Sequence, residues 1–90
     1  MKGRAIFAFN LRRLRLERGI SQEQLAADSE VDRAYVSELE NKRGNPTIDF
    51  LDKLAASLDV PLHEFFRLPE SGARRPKPLP SGRRPRAKKK

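Results

Sequence analysis

Residues 21–41, SQEQLAADSEVDRAYVSELEN, decide the fold of this chain. The segment opens with a capping-box pattern, in which the Ser21 hydroxyl accepts the Gln24 amide and Gln24 reaches back. This pattern predicts a short helix that runs to about Asp28. After a turn of three residues, Asp32 is a second N-cap candidate and begins another helix that runs to about position 41. Two short, capped helices joined by so short a turn predict a helix-turn-helix.

The second of these helices has one apolar face and one polar face. At 100° per residue Val36 and Leu39 point one way, so this side is expected to pack against the core. The opposite side carries small and hydrogen-bonding side chains, namely Arg33, Ala34, Ser37, Glu38 and Asn41. Small residues there allow the helix to approach another surface closely, and a DNA major groove about 12 Å wide admits a helix.

Helical spacing extends to both sides of this pair. Upstream, Phe7, Leu11 and Leu14 form one apolar stripe, and Gly19 is a natural helix stop. Downstream, a fourth helix is striped by Ile48, Leu51, Leu54, Ala55 and Leu58, and a fifth begins near Pro61 with Leu62, Phe65 and Phe66. No segment shows the alternation typical of a strand. The chain is therefore predicted to be all-α, a compact domain of five helices.

The charge is concentrated at the C-terminus. The 90 residues carry 20 Lys plus Arg and 12 Asp plus Glu, a formal net charge of +8. The formal charges of residues 1–69 sum to zero, so residues 70–90 carry the whole net positive charge. Proline is concentrated in the same segment. Such a segment lacks the apolar surface that would offset chain entropy. We expect a folded domain over residues 1–69 and a disordered Pro/Arg/Lys-rich tail over residues 70–90.

Composition excludes several classes of function. There is no cysteine and one histidine, so disulfides, zinc-finger ligand sets and multi-histidine metal sites are excluded. The sequence has no arrangement of nucleophile and base and no phosphate-binding glycine loop, so we expect no enzyme, cofactor, metal site or small-molecule ligand. Apolar runs are too short for a membrane span or a signal peptide, so we expect a cytoplasmic protein without membrane attachment.

About two thirds of the chain resembles the Cro/repressor-type helix-turn-helix family, also called the Xre family. The resemblance is carried by three segments in order, LRLERGISQEQLA, VDRAYVSELENKRGNPT and LAASLDV. It implies a repressor-like fold with the helix-turn-helix at the second and third helices. It also implies that the third helix contacts the base edges of DNA.

The resemblance assigns roles to individual residues of this sequence. Arg33, at the first exposed position of the third helix, is placed to donate two hydrogen bonds to a guanine. Base edges would also meet Ala34, Ser37 and Glu38, and Tyr35 would either hydrogen-bond a phosphate or pack beside Val36. The remaining implied contacts are to the DNA backbone, from Gln22 at a helix N-terminus and from Asn41, Lys42, Arg43 and Asn45 in the following loop.

Other matched positions have structural meaning. Arg15 and Glu40 occupy the positions of the family's internal ion pair, so we expect them to join the first and third helices. The family usually has glycine in the turn, whereas this chain has Glu30, which costs on the order of 1 kcal/mol if φ is positive. Leu62 and Phe66 on the last helix are the candidates for a homodimer contact.

These features predict a sequence-specific regulator of transcription that binds double-stranded DNA as a homodimer on a palindromic operator. Two alternatives stay open. The chain can be a protein-interaction module, such as an antitoxin-like partner, because Glu38 and Glu40 lie near the recognition face. It can also be a nonspecific nucleic-acid binder acting through the basic tail.

Overall fold

The computed structural model describes residues 2–68, which form four α-helices and a short 3₁₀ helix, with no strand among them. The helices are α1 (Gly3–Glu17), α2 (Gln22–Ser29), α3 (Arg33–Glu40), α4 (Ile48–Leu58) and the 3₁₀ helix (Leu62–Phe66). The tail predicted over residues 70–90 lies outside the described residues. No helix within residues 2–68 is long and apolar enough to cross a membrane.

Side-chain caps fix the start of two helices. The Ser21 hydroxyl accepts the backbone N–H of Gln24 at 3.0 Å, as the capping-box pattern predicts. The reciprocal half of that prediction is wrong, because the Gln24 side chain donates to Asp28 at 2.8 Å one turn further along α2. Thr47, which the sequence pattern did not single out, caps α4 by accepting from the N–H of Phe50. The Asp32 side chain makes no capping bond, although Asp32 stands at the N-cap position of α3.

Left-handed residues end the helices. After α1, Gly19 has φ 70°, so the predicted stop is confirmed. The same conformation is adopted after α2 by Glu30, with φ 61°, and after α4 by Asp59, with φ 57°. Because a residue with a Cβ is disfavoured in this region, Glu30 and Asp59 adopt this backbone conformation at some cost in energy.

The core lies between α1 and the other helices. Its buried side chains are Phe7, Leu11, Leu14, Leu25, Ala26, Val36, Leu39, Leu51, Leu54, Ala55, Leu58 and Phe65. The apolar stripes predicted for α1 and α3 are therefore confirmed. One member of the α4 stripe is not, because Ile48 is 62% exposed. It is the first residue of α4, and its side chain lies beyond the edge of the core.

The expected fifth helix is a single 3₁₀ segment of five residues. It begins after Pro61 with a bond from the N–H of Glu64 to the Pro61 carbonyl, and the chain becomes extended again at Arg67. So short a segment leaves no room for a regular α-helix. Its main contribution is Phe65, which is fully buried and packs edge-on against Phe7 with ring centroids 5.2 Å apart.

Candidate nucleic-acid interface

The exposed face of α3 is the candidate site. Val36 and Leu39 are buried, as the helical wheel predicts. On the opposite side Arg33, Ala34 and Glu38 are exposed and Ser37 is half-buried. The eight residues of α3 thus present an exposed polar face, with two core side chains on the opposite side of the helix.

An ion pair joins α3 to α1. The Arg15 guanidinium contacts the Glu40 carboxylate through two bonds, Nε to Oε2 at 2.6 Å and Nη2 to Oε1 at 3.1 Å. Its third bond goes to the carbonyl of Ile20. The Glu40 side chain is 2% exposed and that of Arg15 10%. Hydrogen bonding to Glu40 raises the pKa of Arg15 and so favours the charged form of the guanidinium.

The amide of Gln22 belongs to the same cluster. Its Nε2 donates to Oε1 of Glu40 at 3.1 Å, which connects the start of α2 with the end of α3. Gln22 is half-buried. In this structure the side chain that the resemblance assigns to the DNA backbone therefore also orders the junction of α2 and α3.

Arg33 has a carboxylate partner across the turn. Its Nε lies 3.5 Å from Oε2 of Glu23, and both side chains are mostly exposed. Sequence reasoning missed Glu23, because its ten-residue separation from Arg33 gives no periodic signal. The contact is long and exposed to solvent, so it contributes little to stability. In this structure the contact places the Arg33 guanidinium on the side of α3 that faces the start of α2.

Tyr35 packs instead of projecting outward. It is half-buried, and its ring lies 5.3 Å from that of Phe50. Gly44 sits under the same ring, because a Cβ built there would approach Tyr35 at 3.6 Å and Leu39 at 3.2 Å. The structure thus shows Tyr35 packed, as one of its two expected roles requires, but the neighbours of its ring are Phe50 and Gly44 and not the expected Val36.

The loop after α3 is exposed and carries the expected polar side chains. The Asn41 amide donates to the Ser37 carbonyl at 2.8 Å and so closes the end of α3. Lys42 has φ 67° and turns the chain away from the helix axis. Lys42, Arg43 and Asn45 are all exposed. The loop is held from α1, since Arg4 donates through Nε to the Gly44 carbonyl at 2.7 Å.

The two candidates for a dimer contact differ. Phe66 is 45% exposed and lies next to Phe7. Leu62 is half-buried and packs against the core, so it presents less apolar surface than expected.

Comparison with known proteins agrees with this geometry. The helix-turn-helix family HTH_3 matches residues 11–65, which span the whole of α2, the turn and α3. The chain belongs to this Cro/repressor-type (Xre) helix-turn-helix family. The match leaves out the N-terminal part of α1 and everything after Phe65.

Relatives in the family include regulators and controllers. A hypothetical transcription factor of Neisseria meningitidis is 40% identical over 67 residues, covering 74% of this chain and 63% of its own length. The structure of the restriction-modification controller C.AhdI of Aeromonas hydrophila is 40% identical with a TM-score of 0.68, covering 70% of this chain and 91% of that one. The controller C.Esp1396I, solved on a 19 base pair DNA duplex, is 35% identical with a TM-score of 0.67, covering 73% and 88%.

Proposed function

We propose that this helix-turn-helix protein is a sequence-specific regulator of transcription that binds double-stranded DNA. The observation that carries the proposal is the outer face of α3, where Arg33, Ala34 and Glu38 are exposed while Val36 and Leu39 anchor the other side. A helix whose outer face carries small residues such as Ala34 and Ser37 can enter a major groove closely. The similar controller solved on a DNA duplex supports this use of the fold.

Base recognition is assigned to α3. Arg33 carries the fork of donors that matches O6 and N7 of guanine, the commonest specific contact in the major groove. Ala34 suits a thymine methyl, and Ser37 and Glu38 suit hydrogen-bonding base edges. Because Glu38 repels phosphates, it also penalises a docking in which α3 lies along the backbone.

Backbone contacts are assigned to the two ends of the motif. Gln22 stands at the N-terminus of α2, where free amides and the helix dipole favour an anion. Asn41, Lys42, Arg43 and Asn45 stand in the exposed loop after α3. Such contacts position the protein on DNA without selecting sequence.

A homodimer is the proposed active form. With a rise of about 1.5 Å per residue, α3 is about 12 Å long and spans only a few base pairs, so one copy cannot define an operator. Two copies related by a two-fold axis contact two half-sites and give a palindromic site. Phe66 is the apolar residue proposed for the contact between the copies.

The test is the replacement of Arg33 by alanine. We expect Arg33→Ala to weaken binding by about 1–3 kcal/mol and to remove discrimination at one base position. The measurement is anisotropy titration of the duplex recovered by selection from a random pool, together with its single-base variants. Arg12→Ala is the matched control, because Arg12 is an exposed cation on α1 with no ion-pair partner among residues 2–68.

The pattern across base variants decides the result. A loss confined to one position for Arg33→Ala, with none for Arg12→Ala, supports base recognition by Arg33. An equal loss on every sequence would show that Arg33 contacts only phosphates, and the assignment to α3 would have to be given up.

A further inference from the structure

The exposed cations of residues 2–68 fall into two groups. Arg33, Lys53 and Arg67 each have a carboxylate partner, at 3.5 to 3.6 Å. A second group has no ion-pair partner within residues 2–68, namely Lys2, Arg4, Arg12, Arg18, Lys42 and Arg43. A cation of the second group can bind an anion without first breaking an ion pair of the fold.

Four of these free cations lie in the loop after α3 or at the start of α1 next to it. Arg4 bonds the Gly44 carbonyl, and Lys42 and Arg43 directly precede Gly44 in the chain. Lys2, Arg4 and Asn45 also line one open groove, whose other walls include the apolar side chains of Phe7, Ile48 and Phe66. The arm–loop patch is defined as Lys2, Arg4, Lys42, Arg43 and Asn45. Four positive charges thus gather on a domain whose residues 2–68 sum to zero.

Arg4 is held in place while most of its donors stay free. It uses only Nε on the Gly44 carbonyl, so its two terminal NH₂ groups have no acceptor among residues 2–68. Arg18 differs from Arg4, since it donates through both Nε and Nη2 to the carbonyls of Leu58 and Asp59 at the end of α4. A guanidinium fixed through Nε and open at its terminal groups is preorganised for a second, forked acceptor.

The acceptor that suits this arrangement is a phosphate. Phosphate oxygens match the guanidinium fork, and their bonds with it are charge-assisted. Asn45 adds a neutral donor, and Lys42 and Arg43 add charge along the same edge. The acid nearest in sequence, Glu40, is buried and already paired with Arg15. The next, Asp49 in the first turn of α4, limits the attraction but leaves the patch positive.

We propose that Arg4 and Lys2, at the start of α1, bind the DNA backbone together with the loop after α3. Both residues precede residues 11–65, so the family match does not include them. This inference rests on the proposed DNA-binding function and extends its contact surface beyond the helix-turn-helix. Arg4 has two connected roles, because its Nε orders the loop and its terminal NH₂ groups contact a phosphate.

The experiment measures how binding depends on salt. Full-length wild type, Arg4→Ala, Lys2→Ala and Arg12→Ala are titrated with a 30 base pair duplex of random sequence and with the selected duplex. Each phosphate contact contributes about 0.9 to the slope of log K against log salt concentration. We expect Arg4→Ala and Lys2→Ala each to lower that slope by about 0.9, which is about a fivefold loss of affinity near 150 mM salt.

Arg12→Ala is the matched control, being an exposed free cation of α1 outside the arm–loop patch. Lys2→Ala separates charge from structure, because the Lys2 side chain makes no hydrogen bond within residues 2–68. Thermal unfolding of each variant shows whether the loop has lost its support. A purely structural role for Arg4 would lower the melting temperature and leave the salt slope unchanged.

The outcomes separate this inference from the proposed function. If Arg4→Ala and Lys2→Ala leave the slope at the wild-type value, or if Arg12→Ala lowers it equally, the inference is overturned even when the selected duplex is still preferred. If both variants lower the slope but the wild type prefers no sequence, the phosphate contact stands and sequence-specific binding falls.

Discussion

Arg15 and Glu40 form the most enclosed ion pair within residues 2–68. Removing the cation leaves a carboxylate that is 2% exposed with Gln22 as its remaining side-chain donor. We therefore expect Arg15→Ala to lower the free energy of unfolding by about 3–5 kcal/mol. Urea denaturation measures the change. The control is Glu17→Ala, which breaks the exposed pair with Arg13 and should cost about 1 kcal/mol or less.

If Arg15→Ala costs no more than that control, the pair is not what holds α3 on α1. A loss of DNA binding with unchanged stability would also contradict the account, since it would make Arg15 a direct DNA contact.

Glu30 affects stability through its backbone conformation. It holds φ at 61° in the turn of the helix-turn-helix, and its side chain makes only an exposed contact of 3.6 Å with Lys53. We expect Glu30→Gly to raise the free energy of unfolding by about 1 kcal/mol, because glycine adopts this conformation without a Cβ penalty. The matched control, Ala27→Gly within α2, should lower it by about 1 kcal/mol. Equal losses for both variants would show that Glu30 is not strained.

At the scale of elements, the 3₁₀ helix is attached to α1 by a polar cluster. The buried amide of Asn10 donates to the carbonyls of Phe65 and Arg67, at 3.0 and 2.7 Å. Arg13 donates to Asn10 Oδ1 and lies 3.2 Å from the Glu64 carboxylate. Together these bonds hold Phe65 in the core.

This cluster predicts a pH dependence of stability. The hydrogen bond from Arg13 holds the pKa of Glu64 below its ordinary value. The stabilisation is therefore complete above the ordinary glutamate pKa and is lost as pH falls through the lowered one. We expect Glu64→Gln to be less stable than the wild type at pH 7, and the difference to shrink with acidification. Melting temperatures from pH 7 to about pH 3 measure it.

Arg13→Gln supplies the control, because without Arg13 the longer contact of Glu64 with Arg67, at 3.6 Å, remains and the same Glu64→Gln replacement should show a weaker pH dependence. A difference between wild type and Glu64→Gln that stays constant down to the lowest pH would show that the carboxylate contributes nothing through its charge.

Elements with a strong local signal were predictable from the sequence. Apolar spacing located α1 to α4, and Ser21 and Gly19 marked helix ends through chemistry that acts within one turn. The 3₁₀ segment was not predictable as such, because its end is held by the amide of Asn10, which is 55 residues away from Phe65 in sequence. At the site, the outward face of α3 followed from its own period. The contacts of Arg33 with Glu23 and of Arg4 with Gly44 join separate elements and leave no periodic trace in sequence.

At the scale of the whole molecule, the exposed ring of Phe66 is the surface proposed to pair two copies. We expect Phe66→Ser to shift the oligomer toward monomer and to weaken operator binding, since a single α3 contacts only one half-site. Sedimentation of the free protein measures the first effect. Leu16→Ser is the control, because Leu16 is an equally apolar exposed residue at the far end of α1. If both variants keep the wild-type mass, Phe66 does not form the interface.

Recognition of one DNA sequence by two copies of α3 is tested by selecting bound molecules from a random pool of double-stranded DNA, with the full-length protein at about 150 mM salt. We expect a recovered palindrome whose half-sites lie about 34 Å apart, one helical turn of DNA. Recovery of no motif, with binding that disappears as salt rises, would contradict this expectation and would mean that charge alone holds the DNA.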